Sequence, residues 1–322
     1  MSYFVTGATG FIGRRLIERL LEKRPGDVYV LVRGGSRERL EDLIERWSVV
    51  CGPAAAKRVQ PVIGDLRRPL LGVEQERVEE LRGKITHFFH LAAVYDMTAP
   101  SELNTAVNVG GTTHAVELTR AVEAERLHHV SSIAVAGEYK GVFEESDFDE
   151  GQKLPSPYHR TKFESERIVR EQPYAPWRVY RPAVVVGDSK TGEMDKVDGP
   201  YYFFKAIQRL RRVAPEWLPL VGVDLGKTNL VPVNWVVAAI DHIAHEPDLD
   251  GRAFHLTDPR SQRVDEVFNE FLAAAHAPRF AVSVDKRLTD LVPQWPVSAP
   301  WQTGRGLRCS LTATVDGHGR AF

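Results

Sequence analysis

The stretch Thr6-Gly7-Ala8-Thr9-Gly10-Phe11-Ile12-Gly13 decides the fold. It follows a short β-rich run, SYFVT at 2–6, and opens a segment in which Phe11, Ile12, Leu16, Ile17, Leu20 and Leu21 form one apolar helical face. Between a strand and a helix each glycine has a task. One makes the tight turn, one lets backbone N–H groups approach a pyrophosphate, and one lets the helix pack close to the strand, with the helix N-terminus favouring the anion. Three glycines could also serve only as a strand–helix turn. The strand–loop–helix context favours a dinucleotide, with Gly7, Thr9, Gly10, Phe11, Ile12 and Gly13 around it.

Further β-rich runs come at 28–32, 59–63, 86–91, 127–131 and 177–181, separated by segments of helical period. Strands alternating with helices predict an α/β fold, a Rossmann-type doubly wound parallel sheet. The second run, VYVLV, ends at Arg33, with Arg37 close behind. A guanidinium there suits a 2′-phosphate and cannot accept a bond from a ribose hydroxyl, so NADP(H) is the expected cofactor. A solvated loop arginine is the plain alternative. Asp65-Leu66, after the third run, is placed either to meet adenine or to cap the next segment.

The pattern loosens after residue 187. We expect a dinucleotide domain over 1–187, a smaller C-terminal substrate-binding region over 188–295 interleaved with the main sheet, and a poorly ordered tail over 296–322. The chain has 322 residues, 42 Lys+Arg against 43 Asp+Glu, and 43% apolar residues. That composition excludes a disordered chain, and near-neutrality argues against nucleic acid as main partner. Cys51 and Cys309 are too few for a disulfide framework. No run reaches the ~18 apolar residues of a spanning helix. The N-terminus enters a strand directly, leaving no room for a signal peptide, so a cytoplasmic protein is expected.

Ser156-Pro157 reads as a helix start, which puts Tyr158 and Lys162 four apart on one helix face. A nearby ammonium favours the phenolate, so the pair can exchange a proton near neutral pH. An ordinary surface Tyr and Lys share this spacing by chance. Ser131-Ser132 ends the fifth run, either as a simple turn or, through Ser132, as a donor to a carbonyl oxygen gaining charge.

In this order and spacing, TGATGFIG, HLAA (90–93), NVGGT (108–112), VSS (130–132), YHRTK (158–162) and RPAVVVG (181–187) resemble the extended short-chain dehydrogenase/reductases. The resemblance implies Ser132, Tyr158 and Lys162 as catalytic residues, with Tyr158 and Lys162 also at the cofactor. It implies that Ala92 with Ala93, and the Pro182 region with Val185, flank the cofactor, and that Asn108 supports the site. Asp188 to Phe204 and Asn229 to Ile240 resemble the acyl thioester and fatty acyl-CoA reductase branch of lipid metabolism, as the N-terminal module of larger bacterial proteins. A further C-terminal domain beyond this chain is therefore expected.

That branch implies an NADPH-dependent reductase of a lipid-like acyl thioester or fatty aldehyde. A nucleotide-sugar epimerase or dehydratase, a hydroxysteroid-type dehydrogenase and a non-catalytic dinucleotide sensor are the rivals. Tyr201, Tyr202, Phe203 and Phe204 could line an acyl slot or fill a core. Arg209, Arg211 and Arg212 form a solvated face or greet phosphates. His242 and His245 lack a converging ligand set, so no metal is expected. His87 and His90 belong to a buried strand and are expected to be packed or beside the cofactor.

Overall fold

A computed structural model describes residues 1–93, 105–194 and 199–285. The tail at 296–322, with Cys309, lies outside the described residues. Two compact units emerge, both discontinuous in sequence. Among the described residues the first comprises 1–93, 105–139, 143–193 and 231–256; the second comprises 140–142, 194, 199–230 and 257–285.

In the first unit, strands β1 (Tyr3–Thr6), β2 (Val28–Val32), β3 (Val59–Ile63), β4 (His87–His90), β5 (Arg126–Val130), β6 (Trp177–Pro182) and β7 (Arg252–Leu256) form one sheet. Its order is β7-β6-β5-β4-β1-β2-β3, and every pairing is parallel. The strands are mostly buried because helices cover both faces, and β4, β5 and β6 bury histidine and arginine among their apolar residues. On one face, α1 (Phe11–Lys23), α2 (Arg37–Val50) and α5 (Val233–His245) bury Leu16, Ile17, Leu20, Trp47, Val236 and Ile240. On the other, α3 (Gly111–Ala121) and α4 (Pro157–Glu171) contribute Ala115, Leu118 and Val169 to a core shared with Phe4 and Phe88. Full burial of such Leu, Ile or Phe side chains stabilises by roughly 1.5–3 kcal/mol each.

Polar hubs fix the helices as well. The buried Asp241 carboxylate of α5 accepts from Arg19 at 2.7 Å and Arg24 at 2.8 Å, tying α5 to α1 and its C-terminal cap.

The second unit has a helix at Phe204–Val213 and another at Val264–Ala274. Leu220–Asp224 pairs in parallel with Phe280–Asp285, and Lys227–Thr228 pairs antiparallel with Gln262–Arg263. Its core gathers Ile207, Leu272 and Ala277 with Phe203, Leu210, Phe271 and Phe280.

Candidate active site

The strand order reverses between β1 and β4, and in open α/β sheets ligands bind at the carboxyl ends of the strands at such a point. Here the chain leaves β1 at Gly7 with φ +73°, and a Cβ on Gly7 would lie 2.7 Å from the Ala92 nitrogen. A Cβ on Gly13 would lie 2.2 Å from the Gly7 carbonyl oxygen. Both positions exclude a side chain, which keeps the loop and α1 tight against the sheet. Gly10 caps α1 without a side-chain bond, and the first turn carries no acid. The N-terminal N–H groups of α1 are therefore left to an anion. These residues fit a dinucleotide. Phe11 and Ile12 pack against the core, the Arg15 guanidinium lies 4.7 Å over the Phe11 ring, and Thr9 is half-buried in the loop.

Arg33 follows the last residue of β2, exposed, and its side chain makes no hydrogen bond or ion pair with the described residues. Arg37 is held by Glu41 one turn along α2, at 3.1 Å. The Asp65 carboxylate takes the Arg67 guanidinium at 2.7 and 3.0 Å, and that bond holds its pKa down to about 2. The Leu66 carbonyl accepts from His114 Nδ1 at 2.8 Å. Ala92 donates its N–H to Thr6 Oγ1 at 3.2 Å, and Ala93 is exposed. Pro182 closes β6, and Val185 packs partly against the core.

Two of the catalytic candidates, Lys162 and Ser132, lie at the end of β5, and Tyr158 sits one helical turn before Lys162. Ser156 caps α4, its Oγ accepting from the His159 N–H at 3.4 Å, and Pro157 takes the first helical position. Tyr158 is half-buried in the first turn, and Lys162 is buried one turn on. Lys162 Nζ donates to the carbonyl of Val130, the last residue of β5, at 3.1 Å. Burial pushes the ammonium pKa down to about 8, against the attraction of Glu166. Ser132, two residues past Val130, accepts from the Ala134 N–H at 3.2 Å, which leaves its own proton available to donate.

Glu166 was not singled out in the sequence, whereas Asn108 and His90 were. Glu166 is fully buried and grips Arg181 of β6 at 2.7 Å and Arg170 at 2.9 Å. Its position four residues after Lys162 is the one local signal that could have flagged it. Asn108 lies in a π-helical turn, Thr105–Gly110, a form frequent at functional sites. Its amide nitrogen donates to Thr161 at 3.4 Å, and its carbonyl accepts from Ser165 at 3.0 Å, both on α4. His90 and His129 stack at 5.5 Å behind this helix. Both His129 ring nitrogens and Ser131 Oγ have no partner among the described residues.

The remaining candidates have other surroundings. His87 is buried in the sheet, its Nδ1 2.9 Å from His128 Nε2. His245 bonds Tyr3, while His242 is exposed beside Glu246. Among the described residues no group of three His, Cys, Asp or Glu could hold a metal, and no helix is long and apolar enough to cross a membrane. In the second unit, Tyr201 and Phe204 pack on Phe271 at 5.9 and 5.3 Å, Phe203 packs on Phe268 at 4.7 Å, and Tyr202 is exposed. Arg209, Arg211 and Arg212 are exposed there.

Residues 5–240 match the family profile described as male sterility protein. A linear gramicidin synthase subunit of Brevibacillus parabrevis is 30% identical over 277 residues, 82% of this chain but 5% of its own length. Aldehyde reductase lnaA of Aspergillus flavus is 30% identical over 275 residues, 80% of this chain and 25% of its own. The chain thus spans a small part of either relative. Among solved structures, the terminal R domain of the myxalamid PKS-NRPS biosynthetic pathway aligns with a TM-score of 0.73 and 30% identity, over 87% of this chain and 71% of that one.

Proposed function

Since this chain belongs to the male sterility protein family and is an oxidoreductase of the extended short-chain dehydrogenase/reductase type, we propose that it reduces the carbonyl of an acyl thioester or aldehyde with NADPH. The observation that carries the reading is the buried Lys162, tied to the end of β5 beside Ser132 and one helical turn from Tyr158.

Bound at the glycine loop, NADPH would supply a hydride. Gly7, Gly10 and Gly13 admit the pyrophosphate, and Arg33 takes the 2′-phosphate with its unengaged guanidinium. Ser132 donates a hydrogen bond to the substrate carbonyl oxygen, stabilising charge as it develops there, and keeps its proton. Tyr158 delivers the proton to that oxygen, and the Lys162 ammonium stabilises the phenolate left behind. With a thioester, the reduced carbon expels the thiol and leaves an aldehyde, which presents the same carbonyl to the same groups. Among the relatives, one is an aldehyde reductase, which supports the aldehyde class, and another is a subunit of linear gramicidin synthase.

The test is NADPH oxidation by the full chain against acyl-CoAs of increasing length, aldehydes and nucleotide sugars. An apolar slot rewards each added methylene by up to about 0.8 kcal/mol, so efficiency is expected to climb with chain length and level off. Turnover of nucleotide sugars alone would overturn the reading.

A further inference from the structure

One buried imidazole joins the carboxyl end of β4 to the neighbourhood of α4. His90, the last residue of β4, is 2% exposed and bonded through both ring nitrogens. The direction of every bond around it can be worked out. Thr112 Oγ1 lies 2.7 Å from the Asn108 carbonyl, which only accepts, so the Thr112 hydroxyl proton is spent there. His90 Nε2, 3.2 Å from the same Thr112 oxygen, must then be the donor. A neutral ring protonated on Nε2 has a bare Nδ1, so Thr6 Oγ1, 2.9 Å away, donates to it. Thr6 Oγ1 keeps its lone pairs for the Ala92 N–H at 3.2 Å.

The result is one directed chain. It runs from Ala92 N–H to Thr6, to His90, to Thr112 and to the Asn108 carbonyl, where Ser165 of α4 also donates. Each donor in it is used once if the imidazole is neutral, and the Asn108 carbonyl accepts from both Thr112 and Ser165. The other titratable groups facing His90 are Lys162 from α4 and the stacked His129 from β5, and neither offers it an anion. Burial, with Lys162 nearby, pushes its pKa down to about 3.

The geometry points to His90, in its neutral Nε2–H form, as a positioning residue: it holds the Ala92 peptide and the Asn108 support of α4 in fixed relation, and so sets Tyr158 and Lys162 against the carboxyl ends of β4 and β5. The role for α4 rests on the proposed reductase function; the directed chain itself does not. A displacement of the order of 1 Å at reacting groups can cost about 10²-fold in rate, which gives such a clamp its leverage.

Two measurements test this on the full chain. In nitrogen-15 imidazole spectra, with His90 assigned by the loss of its signals in His90→Gln, the free protein should show Nε2 protonated and Nδ1 bare, unchanged between about pH 5.5 and 9. An Nδ1–H ring, or titration within that range, overturns the clamp whatever the enzyme does. In kinetics, Thr112→Val should lower kcat at least ~10-fold while the Kd for NADPH moves less than about twofold, and Thr112→Ser should restore kcat. A folded Thr112→Val with wild-type kcat overturns the positioning role. A wild-type chain that reduces nothing sinks the reductase reading, and the spectra still decide the directed chain.

Discussion

Replacing Lys162 with methionine should make the protein more stable and nearly inactive. The ammonium is buried and its pKa is pushed from 10.5 down to about 8. At pH 7 the folded state therefore carries a burden of roughly 3 kcal/mol for keeping the charge, at 1.36 kcal/mol for each pKa unit. Methionine fills a similar volume without a charge and forfeits one hydrogen bond to the Val130 carbonyl, worth about 1 kcal/mol. The net expectation is a gain of about 2 kcal/mol at pH 7. Between pH 8 and 10.5 the unfolded chain holds the lysine proton that the folded chain has released, so wild-type stability from this group rises with pH there. Cys51 and Tyr3, whose pKa values burial raises to about 11 and about 12, work in the opposite sense above pH 9 and 10. They are common to both proteins and cancel in the difference. Urea unfolding at pH 7, 8, 9 and 10 should thus show the advantage of Lys162→Met shrinking as pH rises. Parallel stability curves for the two proteins would refute the buried charge.

Tyr158→Phe should leave NADPH binding nearly intact and lower turnover at least ~10²-fold, as measured by cofactor titration and steady-state rates. Arg33→Asp should weaken NADPH over NADH by at least tenfold, since a charge-assisted contact is worth about 1.5–3 kcal/mol; an equal response of both cofactors would make Arg33 a bystander. Gly13→Ala drives a methyl to 2.2 Å from a backbone oxygen, so it should cost about 1–3 kcal/mol and lower the melting temperature by several degrees. Gly34→Ala meets open space and should change stability by less than about 0.5 kcal/mol.

How much a sequence discloses depends on how local each signal is. The glycine turn, the Ser156 cap and the four-residue step from Tyr158 to Lys162 are set by neighbours along the chain, so each shows as a short pattern. The six expected runs of the main sheet became β1 to β6 for the same reason, since strand and helix periods are local. Whether a polar side chain is free or occupied is not local. Arg33 and Arg37 look equivalent in sequence, yet a carboxylate one turn along α2 engages the second and not the first.

The largest gap concerns histidine, whose two nitrogens acquire meaning only from partners that tertiary structure supplies. His90 reads as one more residue of a buried strand until Thr6, 84 positions earlier, and Thr112, 22 positions later, close on it. Asp241 likewise looks like an ordinary helix acid until Arg19 and Arg24 arrive from more than 200 residues away. In both cases burial makes an unpaired group expensive, and the fold resolves that by recruiting partners distant along the chain but adjacent in space, such as Thr6 in register with His90 on the neighbouring strand. A pattern of types and spacings along the chain therefore finds groups that act on a ligand at strand ends, and it passes over the groups that hold them still.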